Sequence, residues 1–139
     1  MKKFFKSTAG MSFVIVFCFI SLLTCGCGDP KASGRITFSD GSPLTTGLVC
    51  FESEMNTYYG DVKPNGTFSM GKTKNGQGIP PGEYKVFFQN AQEQIGADDE
   101  NRPIYKNLLD DKFYSASTSD LTCKVNKKTR MDIQVTGPK

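Results

Sequence analysis

Apolar and polar residues alternate along most of this chain from residue 33 onward. In 33–39, Ile36 and Phe38 fall on one side while Arg35 and Thr37 fall on the other. This period of two is typical of a half-buried strand. The same period recurs through the rest of the chain and predicts seven short strands, at 33–39, 46–54, 58–63, 67–70, 83–89, 121–125 and 129–136.

Turn-forming residues separate these predicted strands. Asn65 and Gly66 lie between the third and fourth strands, and this pair accepts the positive φ angles of a tight hairpin turn. Pro80 and Pro81 precede the fifth strand, where their missing amide donors interrupt no ladder. Short strands with turns between them, and no convincing amphipathic helix, predict an all-β fold, a β-sandwich of seven strands.

One segment, residues 90–120, shows no clear period. It contains the acidic residues Asp98, Asp99 and Glu100, and we interpret it as a long loop with one helical turn within 105–113. A loop of this length is unusual in a compact domain and often carries function. The segment is therefore a candidate contact surface.

The first 26 residues follow a different pattern. Lys2, Lys3 and Lys6 precede an almost wholly apolar run over 11–23. A membrane-spanning helix needs about 20 apolar residues, so this shorter run after a basic start indicates a secretory signal peptide. The sequence therefore divides into a signal peptide (1–26), a tether (27–32) and a β-sandwich domain (33–139).

The end of the signal peptide, Leu23-Thr24-Cys25-Gly26-Cys27, resembles the lipobox of bacterial lipoproteins. In that family the cysteine is acylated and the chain is cut just before it, after a small residue. Cys27 follows Gly26 and is the predicted lipidation site, whereas Cys25 follows Thr24, a poorer match. The resemblance implies a lipid-anchored protein on the cell membrane or outer membrane, facing the periplasm or the cell surface. Two or three acyl chains would hold the protein firmly on a bilayer, since each buried methylene contributes about 0.8 kcal/mol.

Composition and charge narrow the possible functions. Three of the 17 basic residues lie in the signal peptide, which leaves fourteen basic and 14 acidic side chains in the mature chain. A neutral chain has no electrostatic footprint for nucleic acid. The absence of histidine removes the commonest general base and metal ligand. We therefore predict a protein that is not an enzyme, with no cofactor, no metal and no nucleic-acid partner.

Cys50 and Cys123 are the cysteines of the predicted domain, and two interpretations stay open. In an oxidising compartment they are candidates for a disulfide, which would close a long loop and stabilise the fold. Against the bond, Cys123 shares the inward face of its strand, whereas Cys50 alternates with the inward Val49 and Phe51. Opposite faces favour two separate thiols, unless a bulge or an edge strand changes the parity.

Two charged clusters are weaker candidates. The acidic residues 98–100 offer oxygen ligands for calcium but lack the spacing of a known calcium loop, so a solvated loop tip is favoured. Lys124, Lys127, Lys128 and Arg130 crowd one hairpin end and are candidates for contact with anionic lipid or polysaccharide. Such lysines more often protect a strand edge from pairing with another sheet.

Aromatic and hydroxyl side chains suggest two further sites. Tyr58 and Tyr59, with Phe113 and Tyr114, are candidates for a sugar-binding platform, although packing within the fold is favoured. The serines of 115–119 have no histidine to activate them, which excludes a serine–histidine nucleophile.

The motifs of the mature chain occur in an order that matches a known family: Gly34-Arg-Ile-Thr-Phe38, Asp40-Gly-Ser-Pro-Leu-Thr-Thr-Gly-Leu-Val-Cys-Phe51, Asn65-Gly-Thr-Phe68, Pro80-Pro-Gly-Glu-Tyr-Lys-Val86, Lys112-Phe-Tyr-Ser115 and Thr118-Ser-Asp-Leu-Thr-Cys-Lys-Val125. The chain resembles small envelope lipoproteins of planctomycete-type bacteria, whose domain is similar to the carboxypeptidase regulatory domain and to transthyretin. The resemblance implies a seven-stranded transthyretin-like, or prealbumin-like, β-sandwich. It implies no activity, because in carboxypeptidases this domain lies beside the catalytic one and has no catalytic residues.

These observations favour a non-enzymatic, lipid-anchored module of the cell envelope that binds a protein or has a structural role. Its edge strands and residues 90–120 are the expected contact surface. The alternative is a carbohydrate-binding envelope lipoprotein, which predicts exposed aromatic side chains around Tyr59 or Tyr114. A transthyretin-like hydrolase is disfavoured, because the relatives that hydrolyse purine breakdown products use histidine and a C-terminal motif that this chain lacks.

Overall fold

The computed structural model describes residues 28–72 and 75–139. The predicted lipidation residues Cys25 and Cys27, with the signal peptide, lie outside these ranges. No helix in the described part of the chain is long and apolar enough to span a membrane. The described residues form β1 (Ala32–Phe38), β2 (Leu48–Glu52), β3 (Thr57–Asp61), β4 (Thr67–Ser69), β5 (Gly82–Gln89), β6 (Gln92–Ala97), β7 (Pro103–Asn107), a 3-10 helix (Asp111–Tyr114), β8 (Thr122–Val125) and β9 (Thr129–Val135).

Seven of these strands form two sheets. The first sheet has the order β4-β1-β9 and the second has the order β3-β2-β5-β8. Neighbouring strands are antiparallel, except that β1 and β9 run parallel from the pair Ala32–Thr129 to the pair Phe38–Val135. The remaining strands, β6 and β7, pair only with each other among the described residues.

The two sheets pack face to face through one apolar core. Phe51 of β2 meets Phe68 of β4 edge-on, with ring centroids 6.1 Å apart, and the ring of Tyr84 in β5 lies 6.0 Å from that of Phe51. The prediction of an all-β, sandwich-like fold is therefore confirmed. Its largest fully buried side chains are Phe51, Phe68, Phe88, Ile36, Leu44, Met70, Ile79, Leu109, Val49, Val86, Val125 and Val135.

All seven predicted strands are present, with ends that differ by at most two residues. The count of seven is wrong, however, because the described chain contains nine strands. The two extra strands, β6 and β7, lie in the segment 90–120 that was interpreted as a loop. Alternation arises when one face of a strand is buried. Since all of β6 and nearly all of β7 are exposed, neither strand shows it.

The turn before β4 differs in detail from the prediction. Gly66 has a φ of +81°, but Asn65 is not among the residues with positive φ. The amide of Gly66 donates to the Lys63 carbonyl at 2.7 Å, and the amide of Lys63 donates to the Thr67 carbonyl at 2.9 Å. This is the three-residue hairpin with one left-handed glycine, rather than the two-residue Asn-Gly turn.

The approach to β5 explains the spacing of the Pro80-Pro-Gly-Glu-Tyr84 motif. The hydroxyl of Tyr84 donates to the carbonyl of Pro80 at 2.6 Å. The bond joins the start of the strand to the proline pair that precedes it, and the Tyr84 ring remains in the core. Burial raises the pKa of Tyr84, so the phenol remains a hydrogen-bond donor.

Candidate contact surfaces

The β6–β7 hairpin, residues 92–107, projects from the sandwich and is called the arm below. Every residue of β6 is exposed, as are the first four of β7. The arm carries three large exposed apolar side chains: Ile95 is 58% exposed, Ile104 44% and Tyr105 56%. Ile104 is paired with Gly96, which has no side chain to cover it, and the register shifts between Gln94 and Gly96. Because successive side chains of a strand point to opposite faces, Ile104 and Tyr105 expose apolar surface on both faces of the arm. Of the five large apolar side chains that are exposed in the described chain, three lie in the arm.

The base of the arm is fixed to the sandwich. The carbonyl of Ala91 accepts hydrogen bonds from the Leu108 amide at 2.9 Å and from the Tyr114 hydroxyl at 2.7 Å. The same hydroxyl accepts a hydrogen bond from the Leu109 amide at 3.3 Å. Ala91 and Leu109 are themselves fully buried. An isolated two-stranded hairpin is only marginally stable in water, so these contacts hold the arm in place.

The tip of the arm is organised by one carboxylate. Asp98 accepts hydrogen bonds from the Glu100 amide at 2.9 Å, the Arg102 amide at 2.9 Å and the Arg102 Nε at 2.7 Å. These bonds, with those from Arg102 the largest cause, hold the pKa of Asp98 below its usual range. Asp98 therefore has a structural role, and Glu100 pairs with Arg102 at 3.1 Å. Within residues 28–72 and 75–139, no group of three acidic or cysteine side chains has metal-binding geometry.

Polar residues between the arm and β8 also form hydrogen bonds within the fold. Asp110 caps the 3-10 helix by accepting from the Lys112 amide at 3.2 Å. Ser119 is buried, its hydroxyl donates to the Val86 carbonyl, and its Oγ accepts from the Leu121 amide at 3.2 Å. This serine therefore binds the edge of β5 just before β8 begins.

The four aromatic residues proposed as a sugar platform are not brought together on one surface. Tyr58 is buried and its ring lies 5.8 Å from that of Tyr84, while Phe113 is buried at 6.4 Å from Phe88. Tyr114 is half-buried, with its hydroxyl at the base of the arm. Only Tyr59 of the four is exposed, at 40%, on the outer face of β3. A flat aromatic platform is therefore absent from this group.

Cys50 and Cys123 are free thiols in the structure. Cys50 is paired with Phe87 in the register of β2 and β5, while Cys123 is paired with Tyr84 in that of β5 and β8. Because Tyr84 and Phe87 are three residues apart in one strand, they point to opposite faces. The register therefore places Cys50 and Cys123 on opposite faces of the sheet, as the alternation of residues predicts. A disulfide between them would have to cross the sheet. Burial raises the pKa of each thiol to about 12, which leaves both in the neutral, weakly nucleophilic form.

A groove of about 780 Å³ lies beside Cys123, across the start of β5 and the end of β2. Its charged groups are of both signs, and Glu83 lies 3.8 Å from Lys124 in an exposed pair. Exposed pairs of this kind are weak and leave no concentrated charge. The groove residues are Glu52, Ser53, Glu54, Glu83, Tyr84, Lys85, Thr122, Cys123 and Lys124.

The tether is held against the sandwich from Asp29 onward. The Pro30 carbonyl accepts from the Ile79 amide at 3.1 Å, and the Lys31 carbonyl accepts from the Thr129 amide at 3.0 Å. A side chain at Gly78 would collide with the carbonyl of Asp29, so glycine is required for this approach. β1 then begins at Ala32, one residue before the predicted domain boundary, and Ala32 is buried.

Comparisons with known proteins show no family for this chain. No family model matches the sequence, and no curated protein matches it significantly. Among solved structures, it is similar to a DUF3823 family protein from Bacteroides ovatus, with 15% identity and a TM-score of 0.43, over 78% of this chain and 45% of that one. It is also similar to a 9R-lipoxygenase from Cyanothece, with 19% identity and a TM-score of 0.32, over 80% of this chain and 16% of that one. The chain thus spans less than half the length of either protein.

Proposed function

We propose that this protein is a non-enzymatic, lipid-anchored β-sandwich of the cell envelope that binds another envelope protein through the arm. The domain belongs, on this proposal, with the transthyretin-like sandwiches of small envelope lipoproteins. The order of sequence motifs and the two-sheet architecture support that assignment. The lipobox at Cys27 supports the anchor, and the position of the tether at the start of β1 fits it.

One observation carries the interaction function: a fixed arm exposes Ile95, Ile104 and Tyr105 outside both sheets. Each strand of the arm also has one edge without a ladder partner among the described residues. Such edges accept a strand from another protein, since their unpaired amides and carbonyls form a template. Because the base of the arm is fixed, binding does not have to order it first, which lowers the entropic cost of association.

The proposal is tested by cross-linked capture from envelope membranes with the full-length protein. Its membrane-extracted form should have the intact mass of residues 27–139 plus acyl chains. The double variant Ile95→Thr and Ile104→Thr keeps β-branched residues in the strands but removes apolar surface. We expect it to lower the yield of a cross-linked partner at least about tenfold, since buried apolar anchors dominate binding energy.

The matched control is Met55→Thr, which alters an apolar side chain that is 88% exposed in the turn between β2 and β3. This variant should capture the partner as well as the wild type does. Equal capture by the arm variant and the wild type, with both proteins folded, would move the contact surface elsewhere. Capture of no envelope protein by the wild type would overturn the interaction function itself.

A further inference from the structure

Four cations lie together at the end of the sandwich where the tether enters. The pairing of β1 with β9 brings Lys31 beside Thr129, with 3.0 Å between the Lys31 carbonyl oxygen and the Thr129 amide. The turn that precedes β9 places Lys127 and Lys128 at this same end. We call Lys31, Lys127, Lys128 and Arg130 the basic end.

The charges of the basic end are exposed and unneutralised. All four side chains are exposed, and none forms an ion pair within the described part of the chain. Lys124, which the sequence places near them, is instead paired with Glu83. On the first sheet these four cations face two acids, Asp29 in the tether and Asp132 in β9. At the same end of the second sheet, Glu52, Glu54 and Glu83 share a groove with Lys85 and Lys124. The excess positive charge of this end therefore lies on the first sheet.

The opposite end of the sandwich carries acids beside the ends of β1 and β9. Asp40 lies in the turn after β1 ends, and the amide of Asp110 donates to the Thr136 carbonyl, just beyond the end of β9. Asp111 follows directly. Lys139 also lies at this end, and Lys112 is paired there with Asp120 at 2.8 Å.

The tether sets how close the basic end lies to a bilayer. Cys27 is three residues before Pro30, and three fully extended residues span about 11 Å. The hydrogen bond between the Pro30 carbonyl and the Ile79 amide fixes the tether to the domain, so only residues 27–30 separate the domain from the proposed lipid. A lipid on Cys27 therefore holds the basic end within about one Debye length of the headgroups, where charges interact strongly.

We propose that the basic end faces the membrane and binds anionic phospholipid headgroups, so that the domain stands on the bilayer with the arm directed away. This inference rests on the proposed lipid anchor, which would hold the domain close to the bilayer. The cations would then determine which end of the domain faces the headgroups. Juxtamembrane lysines attract anionic lipid by an amount that corresponds to about fivefold in affinity for each residue.

Lysine acetylation of the membrane-extracted protein on vesicles tests the orientation. One vesicle preparation is phosphatidylcholine alone, and the other contains equal parts phosphatidylcholine and phosphatidylglycerol. On the anionic vesicles we expect Lys31, Lys127 and Lys128 to react about fivefold more slowly than on the zwitterionic ones. Lys106 in the arm and Lys139 at the far end should react at the same rate on both.

Charge-reversed variants provide the matched comparison. Lys127→Glu with Lys128→Glu should return the acetylation rate of Lys31 on anionic vesicles to its value on phosphatidylcholine. Lys106→Glu with Lys139→Glu changes the net charge equally and should leave the protection in place. Added salt should remove the protection, because the contact is electrostatic.

Three outcomes would overturn part of this picture, and they are distinguishable. Equal acetylation on the two vesicle types would exclude the headgroup contact while leaving the anchor intact. Protection by soluble dextran sulfate, but not by anionic vesicles, would assign the basic end to an anionic polysaccharide instead. Failure to float with phosphatidylcholine vesicles would overturn the lipid anchor, and with it the proposed function.

Discussion

Gly34 shows how a single residue determines the spacing of the first sheet. It lies in β1, paired with Phe68 of β4 and with Met131 of β9. A side chain here would collide with the carbonyl of Met131 and approach the Phe68 ring to 2.9 Å. The backbone of Gly34 has no positive φ, so the reason for glycine is close packing between strands. Backbone carbonyls cannot move aside as a flexible side chain can, so any side chain at this position destabilises the sheet.

Gly34→Ala is therefore expected to lower the free energy of unfolding by about 3 kcal/mol, the upper part of the range for overpacking. Urea denaturation followed by circular dichroism measures the change. The matched control is Gly96→Ala in the arm, where an added Cβ meets no atom within 4 Å. The control should shift stability by less than about 0.5 kcal/mol. Equal effects of the two variants would contradict the packing argument.

For single residues, the direction of a side chain could be predicted from the sequence, whereas the close approach of two backbone segments could not. The inward positions of Val49, Phe51 and Phe68 follow from alternation alone, because one face of each strand is buried. The role of Gly34 depends on Met131, which lies far along the chain and joins it only through the parallel pairing of β1 and β9. No local pattern in the sequence encodes that distance.

The arm is the element that departs most from expectation, and its tip depends on pH. The folded pKa of Asp98 is lowered from an ordinary value of 3.8 by its bonds to Arg102 and Glu100. A lowered pKa means that the carboxylate stabilises the folded turn above the ordinary pKa. This stabilisation is lost as the pH falls through the folded value. The tip should therefore loosen in acid before the sandwich does.

Amide hydrogen exchange at Asn101, whose amide donates to the Asp98 carbonyl at 2.9 Å, measures this loosening. We expect its opening equilibrium to increase as the pH falls below 3.8, after correction for the intrinsic pH dependence of exchange. Asp98→Ala should show the open behaviour already at neutral pH. Asp99→Ala removes a neighbouring carboxylate that makes no hydrogen bond in the described structure, and should leave exchange unchanged. A tip insensitive to Asp98→Ala would show that the carboxylate is dispensable.

The sequence indicates a strand in only one half of the arm, β7. Pro103, Ile104 and Tyr105 are compatible with an edge strand, since proline is confined to edges or to the first strand position. The facing strand reads Gln-Glu-Gln-Ile-Gly-Ala, with water on both sides and a register shift at Ile95. Period-two reasoning depends on a buried face, so it found the sheets and missed the arm.

The whole molecule is held together by side chains that contact both sheets. Phe51 lies at the centre of this contact, between Phe68 of one sheet and Tyr84 of its own. Tyr84 in turn meets Tyr58 edge-on at 5.8 Å. The edge-to-face arrangement of such rings adds to the burial of their area. The sandwich therefore depends on a few aromatic residues, which a single substitution can test.

Phe51→Ala should lower the free energy of unfolding by about 3–5 kcal/mol, because it leaves a cavity between the sheets. Urea unfolding measures the loss, and the dependence on urea concentration should keep the wild-type slope if the fold is retained. Tyr59→Ala, on the outer face of the neighbouring strand, is the control and should cost much less. A similar loss for both variants would indicate that inter-sheet packing is not the dominant contribution.

The parallel pairing of β1 with β9 has a consequence for biogenesis. Among the described strands, β1 is synthesised first and lies at the centre of its sheet, between β4 and β9, which is synthesised last. Contacts between distant parts of a chain form slowly, since a long loop must close before they contribute. The first sheet therefore stays incomplete until residues 129–135 are available. If the chain is exported through a narrow channel, as the proposed function requires, this delay is useful, because the first sheet closes only after β9 has crossed.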